Sequence, residues 1–160
     1  MSKWKTLSGE IVPDLVQAVR LSTSHGQIVH VGTDSLQVSR WTQFVTVVVI
    51  LTVREDGRGG GGKVFYRREI VPRMSALRER LLKEAWESVQ VAMQLNTDNL
   101  TVHLDANPDT KYMSSKYLKE LVGLVVGCGF KVLYKPESWA STTVADWVVR
   151  HKGRMPHEVV

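Results

Sequence analysis

The stretch Ile28-Val29-His30-Val31-Gly32-Thr33-Asp34-Ser35 constrains this chain more than any other. Its β-branched opening favours a buried strand, and that strand runs directly into a carboxylate. An acid at the edge of a buried strand is costly unless something offsets its charge, and a bound cation is the usual remedy. The pattern therefore predicts a strand that delivers Asp34 to its C-terminal edge. Three further acids, Glu84, Asp105 and Asp146, stand where a folded chain could bring them to it.

Size and composition limit the context. A chain of 160 residues, 43% of them apolar, is expected to bury one core, read here as a single domain over 1–150 with a basic, mobile tail at 151–160. The net charge of +5 suits a polyanionic partner such as nucleic acid, and equally an ordinary cationic surface. Cys128 is the sole cysteine and has no Cys or His neighbours at zinc-ligand spacing, which argues against a disulfide and a structural zinc. The polar N-terminus lacks the pattern of a secretory signal, and the apolar run Phe44 to Val53 is too short to span a membrane. The expectation is a cytoplasmic protein without a membrane partner.

Along the chain, Ile11 to Ser24 has partly helical spacing, with Pro13 suited to the first turn and Gly26 to the stop. Strands are expected at 28–34, at 42–53, where near-continuous Val and Ile predict burial on both faces, and at 63–71. The four glycines Gly59 to Gly62 are followed by Lys63-Val64-Phe65, not by the Lys-Ser or Lys-Thr of a phosphate loop, so they read as a hairpin tip. Arg73 to Leu95 is the clearest helix, with Leu77, Leu81, Ala85, Val89 and Met93 on one stripe. At about 100° per residue, Glu84 falls about 20° from Leu77, at the stripe's border, where it either reaches a site or pairs with Arg80.

Leu100 to Asp105 is a second strand that ends in an acid. Ser114 to Val126 reads as a helix, Phe130 to Lys135 as a fifth strand, and Ser141 or Thr142 as the cap of a last helix that carries Asp146. Short turns join the first three strands into an antiparallel meander, and helical crossovers add the last two in parallel beyond the first. This is an α/β, ribonuclease H-like layout: a five-stranded mixed sheet, three antiparallel strands then two parallel, flanked by helices. It sets Asp34 beside Asp105, at the edge where open sheets place ligands.

Gly32-Thr33-Asp34-Ser35, Leu77-Arg78-Glu79-Arg80 with Glu84 beyond, and His103-Leu104-Asp105 resemble the YkuK family of ribonuclease H-like proteins. So do Val122-Gly123-Leu124-Val125, Gly127 to Phe130, Lys135-Pro136-Glu137-Ser138 and Ser141 to Asp146. The likeness runs from about Ile28 to Val149 and implies a nuclease. It assigns Asp34, Glu84, Asp105 and Asp146 as metal-binding catalytic acids around two ions, Mg²⁺ or Mn²⁺, which are hard cations that prefer oxygen ligands. In such sites one ion activates the attacking water and the other stabilises the leaving oxygen of a phosphodiester.

Other residues carry open readings. His103 either shuttles a proton or is a satisfied core histidine; Lys135 and Glu137 either contact phosphate and metal or lie on the surface. Arg73, Arg78 and Arg80, with Arg67 and Arg68, form either a phosphate track for nucleic acid or a solvated face. Trp41, Trp139 and Trp147 either stack on bases or pack. At the level of function, a metal-dependent nuclease for RNA, DNA or a hybrid stands against a non-catalytic nucleic-acid-binding domain of the same fold. An actin-like ATPase needs two such domains and fits poorly.

Overall fold

The computed structural model describes residues 2–23, 27–53 and 59–151. Strands β1 (Trp4–Thr6) and β2 (Ile11–Val12) precede helix α1 (Leu15–Ser22). Three long strands follow: β3 (Val29–Val38), β4 (Trp41–Val53) and β5 (Gly59–Pro72). Then come α2 (Leu77–Leu95), β6 (Leu100–His103), a 3₁₀ turn (Met113–Tyr117), α3 (Leu118–Gly127) and β7 (Lys131–Leu133). The last helix opens as a π-helical segment (Ala140–Ala145) and continues as α4 (Asp146–His151). No helix among the described residues is long and apolar enough to cross a membrane.

The strands form one sheet in the order β2-β1-β5-β4-β3-β6-β7. β3, β4 and β5 make the expected antiparallel meander, and β6 and β7 add in parallel on the far side of β3. The sheet has seven described strands rather than five, because β1 and β2 extend it beyond β5. Two- and three-residue strands carry no readable alternation. What anchors β1 is Trp4, buried to 8% exposure with the Arg67 guanidinium 5.0 Å from its ring centre.

Several expected boundaries move, each for a local reason. Gly59 to Gly62 are not a hairpin tip but belong to β5, with Gly59 paired to Val53 and Gly62 to Leu51. Ladder bonds use only backbone groups, and at Gly62 a Cβ would lie 2.9 Å from the Ile50 carbonyl oxygen. Helix α2 begins at Leu77, not Arg73, because the Arg73 and Met74 amides donate to Arg40 O and Thr42 Oγ1, both at 2.9 Å. Pro13 precedes α1, whose cap is Asp14, accepting from the Gln17 amide at 3.1 Å. Ser141 and Thr142 do not cap the last helix: both hydroxyls donate to the Ser138 carbonyl. His25, Gly26, residues 54–58 and the tail 152–160 lie outside the described residues.

Strand alternation divides the core. Val48 and Ile50 of β4 face the cluster that contains Leu81, Ala85 and Val89 of α2, while Val45, Val47 and Val49 face Val148 and Val149 of α4. A helix as short as α4 is not stable alone. It is held by those two valines and by Gln43 Nε2, which donates to the Val149 carbonyl at 3.1 Å from a buried position. Upstream, the π-helical segment crosses β3 at Gly32, where a Cβ would sit 2.6 Å from Ser141 N and 2.8 Å from Ala140 C. Both are backbone atoms, so the segment itself would have to shift. Glycine at 32 therefore sets how closely the last helix, and Asp146 with it, approaches the sheet.

Gly32→Ala is accordingly expected to destabilise the protein by about 1–3 kcal/mol, the usual range for overpacking. Gly123→Ala in α3, where a Cβ meets nothing within 4 Å, is expected to be neutral or stabilising by about 0.4–1 kcal/mol. Urea unfolding of the two variants checks both signs.

Candidate metal centre

The centre forms where β6 stops. β3 pairs with β6 from Val29↔Leu100 to Gly32↔His103, while its pairing with β4 continues to Val38↔Trp41. Asp34 thus lies inside β3 rather than at its end, and the edge it occupies is that of the parallel pairing. Beyond His103 the chain leaves β3: the Leu104 amide donates to Leu133 O on β7 at 2.8 Å. The place beside Asp34 is left open, and acids from three directions fill it.

Odd positions of β3 face α2. Val31 packs in the α2 core, the Thr33 hydroxyl bonds Ser88 Oγ at 2.6 Å and Thr46 Oγ1 at 3.0 Å, and Ser35 Oγ donates to Glu84 Oε2 at 3.2 Å. The buried Thr33–Ser88 contact fixes α2 one turn beyond Glu84, which sets that acid's height over the sheet. Even positions face the last helix, and the Asp34 carboxyl lies close enough to those of Asp105 and Asp146 for both to raise its pKa. Oxygens of Asp34, Glu84 and Asp105 all lie within 4.8 Å of one another. Asp146 reaches Asp34 from α4, with its Oδ1 accepting from Arg150 Nε at 2.8 Å.

Burial governs the electrostatics. Asp34 and Glu84 are each only 7% exposed. Desolvation first, then the charges of Glu84 and Asp105 and the bonds to Asp105 and Asp146, push the Asp34 carboxyl up to about 10. Desolvation and the Asp105 charge push Glu84 up to about 8, against the Ser35 bond and the Arg80 and Lys135 charges. Without a cation both acids are held protonated at neutral pH. Lys135 Nζ forms an ion pair with Asp105 Oδ1 at 2.7 Å. Crowded, mutually destabilised carboxylates that offer only oxygen donors fit a hard divalent ion such as Mg²⁺ or Mn²⁺.

The cleft over these acids, about 190 Å³, is lined by Ser35, Arg80, Glu84, Asp105, Ser114 and Lys135 among others. Of the arginines on the expected phosphate track, Arg80 lines it, and its Nε is buried without a hydrogen-bond partner. Arg78 instead forms an ion pair with Glu120 of α3, and Arg73 donates to Ser39 O at 2.7 Å. Arg67 pairs with Glu87 at 3.4 Å. Glu137 is exposed in the loop after Pro136.

His103 is buried at 1% exposure, away from this lining. The Ala140 amide donates to its Nδ1 at 3.1 Å, so its proton sits on Nε2, 2.9 Å from His30 Nδ1. Burial and the neighbouring His30 lower it to about 3. A neutral ring with both nitrogens engaged, packed against Trp139 at 4.9 Å between centres, braces the β3–β6 junction. Trp147 stacks on His151 and is 46% exposed. Sequence reasoning missed Ser35 and Ser114. Ser35 was visible only as the next β3 position on the face of Glu84; Ser114 arrives through a turn in which its Oγ accepts from the Asn107 amide at 3.1 Å.

Raised carboxyl pKa values have a defined sign in stability. Protons bound more tightly when folded contribute stability that is full below the unfolded values near 4 and is lost as pH rises through about 8 and 10. In chelator, the wild-type melting temperature is therefore expected to fall from pH 4 to pH 8 relative to Asp34→Asn. At pH 8 the variant should be the more stable by about 0.5–2 kcal/mol. Parallel melting curves across that range would contradict the assigned repulsion.

No curated protein sequence matches this chain. Among solved structures it is similar to ribonuclease H1 from the halophilic archaeon Halobacterium salinarum, at 11% identity and a TM-score of 0.39 over 70% of this chain and 88% of the other. It is also similar to the N-terminal ribonuclease H domain of rv2228c from Mycobacterium tuberculosis, solved as a fusion with maltose-binding protein. There the identity is 9% and the TM-score 0.38, over 79% of this chain and 99% of the other. The Ribonuclease H-like family model matches residues 10–150, and on that match the chain belongs to the ribonuclease H-like family.

Proposed function

We propose that this protein is a metal-dependent nuclease, of the YkuK kind within its family, that hydrolyses phosphodiester bonds in RNA, DNA or a hybrid. The observation that carries this reading is the meeting of Asp34, Glu84 and Asp105 within 4.8 Å, in a cleft that also holds Arg80 and Lys135. Asp146 is the fourth ligand, supplied from α4. These four acids would hold divalent ions, which when bound would supply an activated water and stabilise the leaving oxygen.

The chain's own groups do the positioning. The Ser35 amide donates to Asp34 Oδ1 at 2.8 Å, and its hydroxyl to Glu84, so one residue orients two ligands. Arg80 Nε is a buried donor without an acceptor, which a non-bridging phosphate oxygen would satisfy by a charge-assisted bond. The cleft is smaller than the about 300–1,000 Å³ common for enclosed small ligands, so it suits a polymer backbone presented from outside. The net charge of +5 favours the same polyanion.

With Mn²⁺ present, the wild type is expected to cleave at least one of single-stranded RNA, duplex DNA and RNA–DNA hybrid. Asp34→Asn should lose more than about 100-fold, beyond the 10–100-fold typical of groups that only orient metal ligands. Undiminished cleavage by Asp34→Asn would place the activity elsewhere. Tight binding of nucleic acid with no cleavage by the wild type would favour the non-catalytic binding domain.

A further inference from the structure

The cation already inside the acid cluster is Lys135. Two backbone bonds build it in: the Leu104 amide on Leu133 O at 2.8 Å, and the Lys135 amide on Ala106 O at 3.0 Å. Between them the chain after β7 runs beside the chain after β6, with Ala106 fully buried, and the Lys135 side chain is brought onto Asp105. Its side chain is 37% exposed, unlike the surface pair Lys111–Asp109 at 67% and 53%.

The charge balance of the cleft decides what this ammonium does. Asp34, Glu84 and Asp105, when ionised, face Lys135 and Arg80, which leaves one negative charge unbalanced. Asp146 has its own partner in Arg150. One divalent ion turns that balance into a single positive charge, which one phosphodiester neutralises. A second ion, with Lys135 still in place, would leave three uncompensated positive charges in the partly buried substrate-free site, and would share Asp105 with an ammonium already at 2.7 Å.

We infer that Lys135 fills the second cation position of the centre, so that the protein without substrate binds one divalent ion rather than two. Lys135 is then a positioning residue that makes full metal loading conditional on a phosphate drawing its ammonium off Asp105. The inference rests on the metal-site reading given above and deepens it.

The test counts ions, without any cleavage. Metal-stripped full-length protein is titrated with Mn²⁺ at pH 7.5, and free Mn²⁺ is followed by its paramagnetic resonance signal. The wild type is expected to bind one Mn²⁺. Lys135→Met should bind two, the first about 10-fold more tightly, in line with removal of a like charge at contact distance. Lys135→Arg should stay at one. Lys135→Gln serves as a second neutral variant, and the melting temperature of each reports that it is folded. Two ions on the wild type, or one ion of unchanged affinity on both neutral variants, would overturn the inference while leaving the metal site intact. No Mn²⁺ on the wild type, or equal binding by Asp34→Asn, would instead overturn the metal-site reading and this inference with it.

Discussion

Carboxyl groups crowded within 4.8 Å, two of them almost wholly buried, repel one another once ionised and would then separate if the backbone let them. The packing around them resists this through contacts that involve none of the acids. Thr33, Thr46 and Ser88 tie α2 to two strands through a dry hydroxyl network. Gly32 lets the last helix lie backbone against backbone on β3, and the Leu104–Leu133 bond draws the chain after β6 aside. Each restraint sits one to four residues from an acid and fixes its direction. The repulsion is therefore borne as a loss of stability rather than relieved by drift, as expected where a site is organised for a ligand.

The cations of the protein fall into two groups by the same logic. Arg67, Arg78 and Arg150 meet acids on neighbouring elements or turns, and Arg67 also covers Trp4. Exposed pairs of this kind, such as Arg78–Glu120, contribute little to stability. Arg80 and Lys135 are different because they line the cleft beside the acid cluster, only partly exposed to water. A basic stretch in the sequence thus does not act as one surface: Arg78 and Arg80 are two residues apart on α2, and they point to a helix–helix contact and to the acids respectively.

What the sequence made legible follows from how local each signal was. Asp34 and Asp105 could be read because each follows a β-branched run, and Glu84 because helical periodicity places it at the border of an apolar stripe. β4 could be read as buried on both faces because its valines are continuous, and the two clusters divide them by alternation. Asp146 could be placed on a last helix, but nothing in Ser141 to Val149 says where that helix docks. The same holds for β1 and β2, for the glycines drawn into β5, and for His103. In each case the decisive partner, whether Tyr66, Leu51 or His30, is remote in sequence. Ser141 and Thr142 had the composition of caps, but the carbonyl of Ser138 captured both hydroxyls first.

The length of β6 links fold to chemistry. Had its pairing with β3 run two residues further, the open place beside Asp34 would be filled by backbone, and Asp105 would be held in a ladder rather than in a cleft. Its four residues end at His103, whose ring is locked by His30, by the Ala140 amide and against Trp139. That histidine, buried and neutral, braces the sheet at the point where β6 ends and the last helix begins its approach. A side chain buried in the packing thus marks the boundary at which the sheet gives way to the acid cluster.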